Sequence, residues 1–244
     1  MLSDIKQKIK KIVRPLYLPI TRILYRTGHI TWPTKSYEIW LFIQFLLFKS
    51  RPKVIVELGS GRSTHYFSEY CQKKGSSLLS IEQNKSYLRK NKVGLKSSFI
   101  KAEGLYHIPI KEDWFDVEKL NQIIADNRID FILVDAPGGG GGGVRNSSIG
   151  NAFLKKITRQ SSVIVIDDFH RNEVKRSVSV FLSDRKSKYT SFLLSYNVSD
   201  NQQNEILFLV KPELSQSCVN FISLFELEHI SLEFSWSSLE DLRM

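Results

Sequence analysis

The sequence predicts an α/β fold: a mostly parallel, doubly wound sheet with helices on both faces and an antiparallel last strand. Three observations carry this. Short apolar runs alternate with helix-length polar stretches along residues 54–181. Those runs are rich in Val, Ile and Leu without polar alternation, as strands buried on both faces are. Two adjacent runs near the end, 189–196 and 205–210, read as a hairpin.

The elements follow in order. YEIWLFIQFLLF, residues 37–48, is too short to span a bilayer and contains Glu38 and Gln44, so it is expected as a buried helix. VIVEL (54–58) is the first strand, followed by GSGRST and a helix to about Lys73. LLSIE (78–82) is the second, with a lysine-rich helix after it. SFIKAE (98–103) is the third and IDFILVD (129–135) the fourth. A helix over about 148–159, a fifth strand at 162–168 (SVIVIDD) and a helix from about Asn172 complete the alternation.

Composition sets limits. The chain has 244 residues, of which 42% are apolar, enough to build a core. Cys71 and Cys218 are the only cysteines, which gives neither a disulfide framework nor a zinc-ligand cluster. The net charge is +10, and residues 1–35 account for +7 of it, with eight lysines and arginines against Asp4. Ile5, Ile9, Ile12, Leu16, Ile20 and Ile23 recur at three- and four-residue steps among these charges, although Pro15 and Pro19 interrupt the pattern. Two readings stand for this head: an anionic membrane surface met through residues 1–26, or a solvated helix packed on the domain. Zinc-finger spacing and an RNP-type aromatic motif are both missing, which argues against nucleic acid. No cleavable signal peptide is apparent, and a cytoplasmic protein, peripheral at the inner membrane face if the head binds lipid, is expected. The expected organisation is a basic extension over 1–35, a ligand-binding domain over 36–212, and a tail over 213–244 that packs on the domain or at a homodimer contact.

Chemistry gathers at the carboxyl ends of the strands, where open parallel sheets bind ligands. After the first strand, Gly59 and Gly61 let the backbone turn tightly and approach a ligand, and Ser63 or Thr64 can cap the helix that follows. Thr64 replaces the third glycine of a dinucleotide fingerprint. Glu57, two residues before Gly59, would repel a pyrophosphate but suits the ammonium and sulfonium of S-adenosylmethionine. Glu82, 23 residues after Gly59, stands where an acid accepts from ribose hydroxyls. Glu103, ending the third strand, would lie near an adenine edge.

The motifs VIVELGSGRST, LLSIEQN, FILVDAPGG and VIVIDDFHR together resemble the class I S-adenosylmethionine-dependent methyltransferases, over roughly residues 37–210. Within them the chain is similar to small bacterial enzymes with an ELGSG-S-T start and a VD-x-P-x-G fourth strand. The resemblance implies a Rossmann-like, seven-stranded sheet with a reversed last strand. It implies that Glu57, Gly59, Ser60 and Gly61 line the methionine end, that Glu82 holds the ribose with Gln83 beside it, and that the acceptor sits over Asp135.

Asp135, Asp167 and Asp168 end the fourth and fifth strands, which are neighbours in such a sheet. Carboxylates gathered there repel unless protonated or bridged by a cation such as Mg²⁺. Catechol O-methyltransferases bind Mg²⁺ at these tips, but their lysine three residues after the strand-four acid is Gly138 here. The competing reading is that Asp167 or Asp168 caps the next helix. His170 is a candidate base for an acceptor hydroxyl, with Asp135 and Asp168 as competitors. Arg145 and Arg171 flank the region and could grip an anionic acceptor. The six glycines 138–143 are expected as a mobile loop over the site, the alternative being a neutral expansion of a tolerant loop. The function expected is methyl transfer to a hydroxyl of a small-molecule, saccharide or glycolipid acceptor. A non-catalytic binding module and a nicotinamide oxidoreductase are the rivals. A nucleic-acid methyltransferase is disfavoured, because VDAP stands where NPPY would and neither cysteine ends the fourth strand.

Overall fold

The structure is a computed structural model that describes residues 37–90, 104–124, 128–137, 147–183, 188–199, 202–225 and 230–231. The basic extension, the six-glycine run with Arg145, and the 98–103 segment with Glu103 lie outside these residues.

Helix α1 (Tyr37–Ser50) precedes strand β1 (Val54–Leu58), helix α2 (Arg62–Lys74) and strand β2 (Ser77–Glu82). Residues 85–90 are helical. Short strands β3 (Leu105–His107), β4 (Ile110–Lys111) and β5 (Trp114–Phe115) come next, then α3 (Val117–Ile124). The order continues β6 (Phe131–Val134), α4 (Ser148–Ile157), β7 (Val163–Ile166) and α5 (Asn172–Phe181). It closes with β8 (Thr190–Ser199), β9 (Gln202–Val210), α6 (Pro212–Phe225) and β10 (Ile230–Ser231).

The main sheet runs β10-β8-β9-β7-β6-β1-β2-β3. β3, β2, β1, β6 and β7 are mutually parallel. β9 is antiparallel to both β7 and β8, so it is the reversed strand expected from the hairpin. β10 adds a short eighth strand at the β8 edge. The strand beside β2 is Leu105–His107, starting just after the stretch the sequence nominated. Gly104 leads into it, and a Cβ there would lie 1.9 Å from the Leu78 carbonyl oxygen, so only glycine fits.

Strand alternation divides the core into two apolar layers. Val56, Leu58, Ile132, Val134, Ile164 and Ile166 face α3, α4 and α5. Ile55, Phe131, Leu133, Val163 and Val165 face α1, α2 and α6. In α1, Ile39, Phe42, Ile43, Leu46 and Leu47 are buried at the i, i+3, i+4, i+7, i+8 spacing of one helix face. Phe42 meets Phe208 edge-on at 5.0 Å, and Phe45 stacks on Phe221 of α6 at 4.1 Å. Burying each such ring contributes roughly 1.5–3 kcal/mol. The 37–48 run is therefore a core helix, and among the described residues no helix is long and apolar enough to cross a membrane.

The small β4–β5 hairpin was not legible in the sequence. It buries Trp114 and Phe115 against α4, where a Cβ on Gly150 would come within 2.4 Å of the indole.

Candidate functional site

The site is built from the turn after β1. The Gly59 N–H donates to the Ile81 carbonyl at 2.8 Å, and its φ of +102° suits glycine alone. A Cβ at Gly59 would stand 3.0 Å from the Ala136 Cβ and 3.2 Å from the Asp135 carbonyl carbon. This glycine lets the β1 turn close onto the tip of β6.

Glu57, expected at the methionine end, has a wholly buried side chain. One oxygen accepts from the Ser63 hydroxyl; the other accepts from Thr64 Oγ1 at 2.6 Å and from Ser80 Oγ. Thr64 Oγ1 in turn accepts from the Gly61 N–H at 2.8 Å. Burial pushes the Glu57 carboxyl up to about 7; the Ser63, Ser80 and Thr64 hydroxyls oppose this, and the charge of Glu82 adds to it. Glu57 organises the glycine turn and the first turn of α2. Ser63, expected at the ligand or as a cap, is committed to Glu57.

Glu82 sits where the spacing placed it, at the end of β2 and nearly buried. Its Oε2 accepts from the Ser60 N–H at 3.0 Å and the Ser60 hydroxyl at 3.1 Å, and its Oε1 accepts from the Asn84 N–H at 2.7 Å. A carboxylate has about four acceptor positions, so one remains on Oε1. Gln83 beside it has a buried Oε1 without a partner. Gly59, Ser60, Glu82, Gln83 and Asp135 line one cavity of about 890 Å³. Tyr87, His107 and Ile110 line it too, and sequence reasoning did not find them. The signal for Tyr87 was present as an aromatic in the first turn of the helix after Glu82, and it is 56% exposed here.

The tips of β6 and β7 lie side by side. The Asp135 N–H donates to Leu58 O at 2.8 Å and the Asp167 N–H to Val134 O at 3.0 Å. Among the described residues no group of three or more His, Cys, Asp or Glu is arranged to hold a metal ion. Asp167 Oδ1 accepts from the Asp168 N–H at 2.8 Å, and Asp168 Oδ2 pairs with Arg171 Nη2 at 3.0 Å. That pairing also turns Arg171, expected on an anionic acceptor, back onto the protein. Neither aspartate caps α5, whose N-cap is Arg171 with no side-chain cap bond. Asp168 holds a left-handed backbone, φ +56°, an uncommon state that Asp tolerates better than most residues. His170 lies in the same turn with its Nδ1 buried and without a partner.

No protein-family model matches the sequence, and none of the curated proteins does. Solved structures match the fold. An O-methyltransferase from Bacillus cereus, in complex with SAH, is 15% identical at a TM-score of 0.52, over 85% of this chain and 97% of its own. A Klebsiella pneumoniae protein assigned as an O-methyltransferase is 15% identical at 0.54, over 79% and 90%. A Streptococcus mutans protein assigned as a methyltransferase, also with SAH, is 15% identical at 0.50, over 73% and 99%. The strand order, the reversed β9 and these likenesses agree: the chain has the fold of the class I methyltransferases.

Proposed function

We propose that the chain is an S-adenosylmethionine-dependent methyltransferase acting on a hydroxyl of a small-molecule or saccharide-linked acceptor. The observation that carries this reading is that one cavity is walled both by Glu82, with an acceptor position left on Oε1, and by Asp135 at the β6 tip. The donor set fits an adenosyl ligand: a ribose hydroxyl on Glu82, an adenine beside Gln83 and Tyr87, and a methionine end against the Gly59–Gly61 backbone. That backbone is held in place by Glu57 from below.

A bound S-adenosylmethionine supplies a methyl group already activated on a sulfonium. The chain has to bind, align and manage one proton. Alignment is worth about 7–11 kcal/mol, and a general base adds roughly 10²–10⁴-fold. A hydroxyl acceptor requires that base more than an amine does. Asp135 borders the cavity, and His170 Nδ1 is a buried nitrogen without a partner in the adjoining turn. Asp168 is the weaker candidate, because its Oδ2 is already paired with Arg171 at 3.0 Å. The net +7 of residues 1–35 supports an acceptor presented at an anionic membrane surface.

The test is transfer of labelled methyl from S-adenosylmethionine to hydroxyl and amine acceptors. Asp135→Asn and His170→Ala should each lower turnover on hydroxyl acceptors by about 10²-fold or more, with His170→Ala leaving SAH affinity intact. Full turnover in both variants, or transfer confined to amines, would overturn the hydroxyl reading.

A further inference from the structure

The carboxyl end of the sheet holds a second polar corner beyond the adenosyl cavity. On the β8–β9 hairpin Tyr196 stands opposite Asn204. The Phe169 N–H donates to Glu205 O at 2.8 Å, which brings the 168–170 turn alongside this pair. Tyr196 is 8% exposed, its ring packed in the apolar layer under α1 and α6. Its hydroxyl accepts a long 3.4 Å hydrogen bond from Asn204 Nδ2, and among the described residues no acceptor takes its proton. Among the described residues Asn204 Oδ1 is buried without a partner, as is His170 Nδ1. Polar atoms left unpaired at such depth call for an explanation, and an incoming ligand is one.

The charges around this corner restrict what it takes. Burial raises the Tyr196 phenol, and the negative charges of Asp167, Asp168 and Asp135 raise it further. β7, tipped by Asp167 and Asp168, lies between β9 and β6, and Asp135 at the β6 tip lines the adenosyl cavity, so the two regions adjoin. Among the described residues, Arg171 is engaged on Asp168 at 3.0 Å and Lys175 of α5 on Glu205 at 3.3 Å.

We propose that Tyr196 and Asn204 form the acceptor subsite of this site, and that it takes an uncharged, polyhydroxylated acceptor such as a polyol or a neutral saccharide ring. The inference rests on the methyltransferase reading and narrows it. The paired groups are a donor, the phenol O–H, and an acceptor, the amide oxygen. A hydroxyl both donates and accepts, so it satisfies both. An ammonium has no lone pair for the phenol proton. A carboxylate or phosphate cannot donate to Asn204 Oδ1 and is repelled by three aspartates.

The test uses the full chain saturated with SAH, whose own binding is measured first by calorimetry. Saturation-transfer NMR then compares myo-inositol and glucose with glucuronate, glucose 6-phosphate and glucosamine. The neutral compounds should bind, with the charged ones at least about tenfold weaker. Tyr196→Phe and Asn204→Ala should each weaken neutral binding by about tenfold with SAH affinity unchanged. Measuring both variants keeps the test decisive if one of them fails to fold. Equal or tighter binding of a charged compound overturns the proposal. So does neutral binding that neither variant changes, or no neutral binding while SAH binds. Failure to bind SAH instead overturns the methyltransferase reading, and this inference with it.

Discussion

Ser60 is tied to Glu82 twice: its backbone N–H at 3.0 Å and its hydroxyl at 3.1 Å both reach Oε2, across 22 residues of sequence. The glycine turn after β1 and the acid ending β2 are thus one rigid unit. Glu82→Gln keeps the size of the side chain but replaces an ionised acceptor with a weaker one and an N–H₂ group that faces the Ser60 N–H. Hydrogen bonds to charged groups contribute about 1.5–3 kcal/mol. SAH affinity measured by calorimetry should fall about 10- to 100-fold.

Gly59→Ala tests the closure between β1 and β6. The new Cβ meets Ala136 at 3.0 Å on a backbone with φ of +102°. Strain at such a position costs about 1–3 kcal/mol. Urea unfolding should record that loss, and SAH binding should weaken as well, because the turn and the cavity share this residue.

Glu57 predicts a pH dependence of stability. Its folded carboxyl titrates at about 7, against 4.5 for the ordinary group. The folded protein therefore keeps a proton that the unfolded chain releases. The stabilising contribution is present below about pH 4.5 and is lost as pH rises through about 7. It amounts to roughly 3 kcal/mol at 1.36 kcal/mol per pH unit. Glu57→Gln should remove that slope, seen as the difference between the two proteins' unfolding free energies across this window. Parallel curves for the two proteins would rule the carboxyl out as the titrating group.

Gly150→Ala tests the hairpin against α4. A Cβ there would stand 2.4 Å from the Trp114 ring, which is fully buried. Overpacking of this kind costs about 1–3 kcal/mol. The melting temperature should fall while SAH affinity stays unchanged, because neither residue borders the cavity lined by Glu82 and Asp135.

How much of this was legible follows from what each feature depends on. β6 and β7 are continuous apolar runs buried on both faces, β1 and β2 are largely apolar, and each ends in or next to an acid, so sequence alone located them. Glu82 was legible because spacing along one chain fixes it. The β4–β5 hairpin was not, since two-residue strands carry no period. The burial of Glu57 was hidden because Ser63 and Thr64 come from α2 and Ser80 from β2, and only the fold brings these hydroxyls together. The same holds for the Asp168–Arg171 salt bridge, which depends on the turn after β7. Tyr196 and Asn204 meet only through the register of β8 and β9.

The measurement that tests the central claim most directly is calorimetric titration of the full chain with SAH and with NAD, repeated on Glu82→Ala. SAH should bind, NAD should not, and Glu82→Ala should lose at least about tenfold in SAH affinity. NAD binding in place of SAH, or SAH affinity indifferent to Glu82, would contradict it.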